Sequence, residues 1–178
     1  MNEYDRLRGN ADDIRSTPGR QPPAWTGEWT LWLVVAAMGA HFLEEFALNF
    51  NGWALQMLHA PVSSEDFHLT NAAVAMYCIG CAAIGWRSPS IALSGAGIGV
   101  VNAIGFHTGS SLLFLAYTPG TTTSVLLFLP TAVVVYRAAR KDGVLTRRAL
   151  LVSLGVGVLW HLFMGGVFAI KYFAPLYP

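Results

Sequence analysis

His41, Glu44 and Glu45 lie in one stretch, His41-Phe42-Leu43-Glu44-Glu45, in the middle of the first long apolar run of the chain, Leu31 to Phe50. An ionised side chain near the centre of a membrane helix costs about 2.5–3.5 kcal/mol on insertion scales, so an acidic pair there points to function. These are the only two acids inside any apolar run. Positions i, i+3 and i+4 of a helix share a face, so the three side chains project from one side within about 100° of arc. The other polar residues of the apolar runs are few. His68 and Asn71 open the second run, Asn102 and His107 lie in the third, and His161 lies in the fifth. At a rise of about 1.5 Å per residue, Glu44, Glu45, Asn102 and His161 fall near mid-depth, with His107 and Asn71 nearer the outer side. A common level is what the ligands of one site require.

Two carboxylates with two or three imidazoles suit a divalent transition metal, Zn²⁺ first and Fe²⁺ or Mn²⁺ next, whereas thiolate-seeking metals would want cysteines at this level. A divalent cation also answers the burial problem, because it would neutralise both glutamates while neutral imidazoles ligate it. The expected ligands are His41, Glu45, His107 and His161, with Glu44, Glu45 and Asn102 as the catalytic candidates. The glutamate left over from the metal would be a general base or would orient an imidazole. Neither the H-E-x-x-H nor the H-x-x-E-H protease helix is present, and one glutamate pair offers too few carboxylates for two metals. One obstacle is geometric. Asn102 and His107 are five residues apart, which an ideal α-helix would separate by about 140°. Either a π-bulge at Gly105 brings them together or only one of the two faces the centre.

The elements that must position these residues follow from hydropathy. The chain has 178 residues, 54% hydrophobic and 12% charged, with mean hydropathy +0.47. Its apolar residues gather in five blocks, Leu31–Phe50, Leu69–Trp86, Ile91–Tyr117, Thr121–Tyr136 and Ala149–Phe173. Crossing about 30 Å of hydrocarbon takes about 20 helical residues. The expected fold is therefore all-α, a polytopic membrane bundle of five transmembrane helices forming a single domain over residues 26–178. Pro130 should kink the short fourth block. Gly95-x-x-x-Gly99 in the third block, and Gly157 and Gly165 on either side of His161, are spacings that let membrane helices approach closely.

Ten of the eleven basic residues fall on one side of such a bundle, including Arg87, Arg137, Arg140, Lys141, Arg147 and Arg148. The positive-inside rule then puts the N-terminus in the cytoplasm and the C-terminus outside. Residues 1–25 mix both charge signs with Pro18, Pro22 and Pro23, which predicts a flexible cytoplasmic tail rather than a signal peptide. Trp25, Trp29 and Trp32 are expected at the membrane interface. Cys78 and Cys81, inside the second block without flanking charge, read as buried inert thiols. A net charge of +1 with no basic stripe gives no sign of a nucleic-acid partner.

The H-x-x-E-E of the first block, Asn102-x-x-x-x-His107 of the third, and Pro119-Gly120-x-x-Thr123 just after Tyr117 together resemble the HXXEE domain family of small bacterial integral membrane proteins. The resemblance implies that His41, Glu44, Glu45, Asn102 and His107 are signature positions. It also implies a metal-dependent enzyme in the cytoplasmic membrane of a bacterium, without fixing the reaction. His161 rests on depth and glycine spacing alone. With no soluble domain, such an enzyme would receive a lipid or hydrophobic small molecule from the bilayer or through an outer cleft rimmed by Thr118–Thr121 and Asn51–Asp66. Hydrolysis is the favoured reaction class. The alternatives are a proton- or cation-coupled carrier using Glu44 and Glu45, and a metal-free acid–base isomerase or cyclase. A homodimer would supply the second half that a carrier of this size lacks.

Overall fold

The computed structural model describes residues 27–173, all-helical with no strand among them. The tail over residues 1–25 and Trp25 lie outside the described residues. A 3₁₀ turn over Glu28–Thr30 leads into α1, Leu31–Ala47. The short α2 covers Phe50–Leu58 and α3 covers Ser64–Ile84. Then follow α4 (Pro89–Phe114), α5 (Thr121–Lys141) and α6 (Arg147–Phe173). Five helices are long and apolar enough to cross a membrane, Glu28–Ala47, Ser64–Arg87, Pro89–Phe114, Thr121–Lys141 and Arg147–Tyr172, one for each expected block.

α2 is a departure from the sequence reading, which treated Asn51–Asp66 as a plain connection. The segment helixes because it caps itself and finds a burial site. Asn49 adopts a left-handed conformation, φ 52°, and its Oδ1 accepts from Gly52 N at 3.1 Å. Trp53 is then buried against Phe106 and Phe114, at ring separations of 6.3 and 6.2 Å. Tertiary packing, rather than periodicity, makes so short a helix. The fourth block is longer than hydropathy indicated, and Pro130 lies just beyond a π-helical stretch, Ser124–Phe128. A wide turn absorbs the carbonyl that the missing proline N–H leaves free.

α4 lies at the centre of the bundle. Half of its most apolar window is buried, 50% against 11% for α6. Its stretch from Ser94 to Gly99 is buried throughout, since small side chains let neighbours close in. The closest approach is at Gly97, where a Cβ would collide with the Ser153 carbonyl of α6, and at Gly157, where a Cβ would lie 2.5 Å from Gly97 O. Cys78 and Cys81 are free and buried, as expected.

Polar contacts fix the relative direction of the spans. At one end Glu28 Oε1 accepts from Trp86 N at 3.0 Å, and Asp142 Oδ2 accepts from Gly27 N and Trp86 Nε1, each at 2.9 Å. This cluster joins the start of α1 to the ends of α3 and α5, beside Arg87, Arg140 and Lys141. At the opposite end Asp66 of α3 accepts from Lys171 of α6 at 2.6 Å and from the Tyr172 hydroxyl.

Candidate metal centre

Two features of local structure bring the candidate residues together. The i, i+4 spacing on α1 stacks His41 over Glu45. In α4, residues Asn102–Thr108 form a π-helix, so i→i+5 bonding places Asn102 and His107 on one side, as Gly105 allows. Regular α geometry would have turned one of them away.

The resulting group is His41, Glu45 and His107, whose ligand atoms all lie within 4.8 Å of one another. Their residual exposures are 2%, 6% and 0%, so no bulk water stands in for missing partners. Glu45 Oε1 is 3.5 Å from His41 Nε2 and 3.5 Å from His107 Nε2. The group lies in the last turns of α1, nearer the end opposite the arginines than the mid-depth placement expected for Glu45.

Hydroxyl groups on α5 determine which His41 nitrogen faces inward. Thr123 Oγ1 lies 3.0 Å from His41 Nδ1 and donates its own proton to Gly120 O. Ser124 Oγ lies 3.4 Å from the same nitrogen and donates to Asn102 Oδ1. Nδ1 is thus engaged by α5, which leaves Nε2 facing Glu45. His107 presses its Nδ1 edge against the Pro119–Gly120 turn. Nε2 of both imidazoles and Glu45 Oε1 therefore converge on one buried volume. A hydrogen bond is too long at 3.5 Å. The edge of a tetrahedral site with bonds of 2.0–2.1 Å is about 3.3–3.4 Å, so the donor set and its spacing fit a divalent metal.

The structure does not bring Glu44 into this group, which corrects the expectation that one ion neutralises both glutamates. Its carboxylate accepts from Thr122 N at 3.2 Å, from Thr123 N at 2.7 Å and from the Tyr117 hydroxyl. The first N–H groups of a helix have no partner within it and carry partial positive charge, so Glu44 caps α5 and thereby holds Thr123 and Ser124 against His41. Tyr117 stays a donor because burial first, and the Glu44 carboxylate second, push its phenol above the ordinary value.

His161 also lies outside the three-residue group. Its Nδ1 is 2.7 Å from Gly157 O and its Nε2 is 3.3 Å from Asn102 Nδ2, so both nitrogens are engaged. Asn102 links it through Ser124 to His41. Of the remaining candidates, Asn71 Nδ2 is 3.5 Å from Glu45 Oε2, whereas His68 and His59 are exposed. Ser124 and Tyr117 were not singled out as site residues from sequence. The only signal was the Pro119-Gly120-x-x-Thr123 turn beside them.

A cavity of about 590 Å³ opens onto the group. Met38, Phe42, Val74, Met164 and Phe168 give it an apolar wall, while His41, Glu45, Asn71, Asn102 and His161 supply its polar patch. Neither the curated proteins nor the solved structures contain a match to the chain. Residues 32–135 match the model of the family described as "Protein of unknown function with HXXEE motif", a match that takes in more than half of the sequence and His41, Glu44, Glu45, Asn102 and His107, and the chain belongs to that family.

Proposed function

We propose that the protein is a membrane-embedded metal-dependent enzyme, of hydrolase type, acting on a lipid or hydrophobic small molecule. The observation that carries this reading is the convergence of His41 Nε2, His107 Nε2 and Glu45 Oε1, with His41 held through Nδ1 by the hydroxyls of α5. Three protein ligands and an open position are the pattern of catalytic rather than structural zinc. A divalent ion held there, with zinc ahead of iron or manganese, would supply Lewis acidity at the floor of an apolar cavity. Asn102 uses one N–H on His161 and has a second that can face a developing negative charge in the cavity. Glu45 orients the centre, and Glu44 acts through α5. By the positive-inside rule the arginine-rich end is cytoplasmic, so the site opens toward the outer half of the membrane.

Elemental analysis of the detergent-purified protein tests this directly. Wild type and Glu44→Gln should each hold one transition metal per chain, and His41→Ala and Glu45→Ala should hold almost none. A wild-type protein that stays metal-free after incubation with Zn²⁺, Mn²⁺ and Fe²⁺ would overturn the assignment.

A further inference from the structure

We propose that the cavity takes a single-chain amphiphile with an anionic oxygen headgroup, a carboxylate or a phosphate monoester, which enters sideways from the bilayer through a window between α3 and α6. The window follows from how these two spans meet. Toward the arginine-rich end the rings of Tyr77 and Trp160 stack, with centroids 6.3 Å apart and planes at 24°. At the opposite end Asp66 binds Lys171 and Tyr172. Asp66 and Tyr77 are eleven residues apart on α3, as are Trp160 and Lys171 on α6, so both sides of the opening are about 16 Å long at the helical rise. The cavity occupies this interval, with Thr70 and Asn71 on one lip and Leu162 and Gly165 on the other. Leu162 is 67% exposed, and a Cβ on Gly165 would meet nothing within 4 Å, so the α6 lip faces outward without a protein partner. Both lips belong to membrane-spanning helices, which makes hydrocarbon the medium outside the window.

The headgroup follows from charge. This step rests on the metal reading above. Among the described residues Glu45 is the only acidic or basic side chain lining the cavity, and Glu44 is committed to α5. A divalent ion among one carboxylate and two neutral imidazoles keeps one net positive charge in a buried, apolar place. Such a charge is costly until an anion meets it. A carboxylate or phosphate oxygen at the open position removes that cost, and the amide N–H groups of Asn71 and Asn102 can receive its remaining oxygens. An ester or an alcohol leaves the charge standing. A volume of about 590 Å³ lies within the range of small-molecule sites and favours one chain over two.

The test uses the full-length protein loaded with Co²⁺ in a nonionic detergent, with the visible absorption of the ion as readout. Dodecanoate and dodecyl phosphate should each shift the band saturably, while methyl dodecanoate and acetate at the same concentrations should not. Response to only one of the two anions identifies the headgroup. Gly165→Leu, placed on the open lip, should keep the Co²⁺ band and weaken dodecanoate binding about tenfold. A Co²⁺ band indifferent to dodecanoate and dodecyl phosphate, or equally shifted by the ester or by acetate, overturns the anionic-amphiphile assignment and leaves the metal site standing. Unchanged dodecanoate binding in Gly165→Leu overturns the window. Failure to bind Co²⁺ at all removes the metal reading and the anionic headgroup with it.

Discussion

Two polar clusters each tie several spans together, one at either end of the bundle, and they are built in opposite ways. At the arginine-rich end the carboxylates of Glu28 and Asp142 meet N–H donors from Trp86 and Gly27 at 2.9–3.0 Å. At the other end the Glu45 carboxylate meets two imidazole nitrogens at 3.5 Å. The first arrangement is complete in itself, and its role is to fix the start of α1 against the ends of α3 and α5. In the second, two imidazole nitrogens and a carboxylate oxygen face one another across distances longer than a hydrogen bond, a spacing that suits a bound cation. Burial is costly for the carboxylates of both clusters; the first finds its hydrogen bonds within the chain, and the second is arranged so that a partner from outside the chain could join it.

Substitutions that act on one end and spare the other test that contrast. The largest effect is expected from Gly120→Ala. Gly120 has φ +96°, and a Cβ there would lie 2.5 Å from His107 Cε1 and 2.6 Å from His41 Cε1. The left-handed conformation alone costs a side chain about 1–2 kcal/mol, and the clash displaces both imidazoles. Thermal scanning should show lowered stability and elemental analysis should show no ion; retention of both would mean the turn does not brace the rings.

At the opposite end, Trp86→Phe deletes the indole N–H that Asp142 accepts. Loss of a hydrogen bond to a charged group should lower stability by about 1.5–3 kcal/mol. Metal content should stay at the wild-type value, and a parallel loss of the ion would show that the two ends are coupled. Ser124→Ala is the subtler probe. It removes one of the two hydroxyls at His41 Nδ1 and the link to Asn102, and outer partners of this kind are typically worth 10–100-fold in metal affinity. Competition with a chelator should register a loss in that range with the melting temperature almost unmoved.

The readable parts of this molecule were those encoded by residue type and spacing. Hydropathy located all five spans, and the i, i+4 relation paired His41 with Glu45. The five-residue interval with Gly105 inside it anticipated the π-helical turn that joins Asn102 to His107. Backbone partners were the blind spot. Glu44 is held by the amides of Thr122 and Thr123, and amide groups are the same in every sequence. Depth along a helix also says nothing of direction around it, so His161 was grouped with the ligands although its ring engages Gly157 and Asn102 instead. Ser124 gave no warning, since a lone hydroxyl in an apolar run more often bonds its own helix. α2 stayed hidden because its helicity depends on Trp53 reaching rings that lie some fifty residues further along the chain.

The wide turn in α4 has one more consequence. A π turn takes up one extra residue per turn, so the same residues wound as a regular α-helix would form a span of almost the same length. The span would still cross the membrane, yet Asn102 and His107 would face directions about 140° apart. The capacity to live in a bilayer and the capacity to do chemistry there are thus written separately in the same helix, and the second hangs on a single residue of phase.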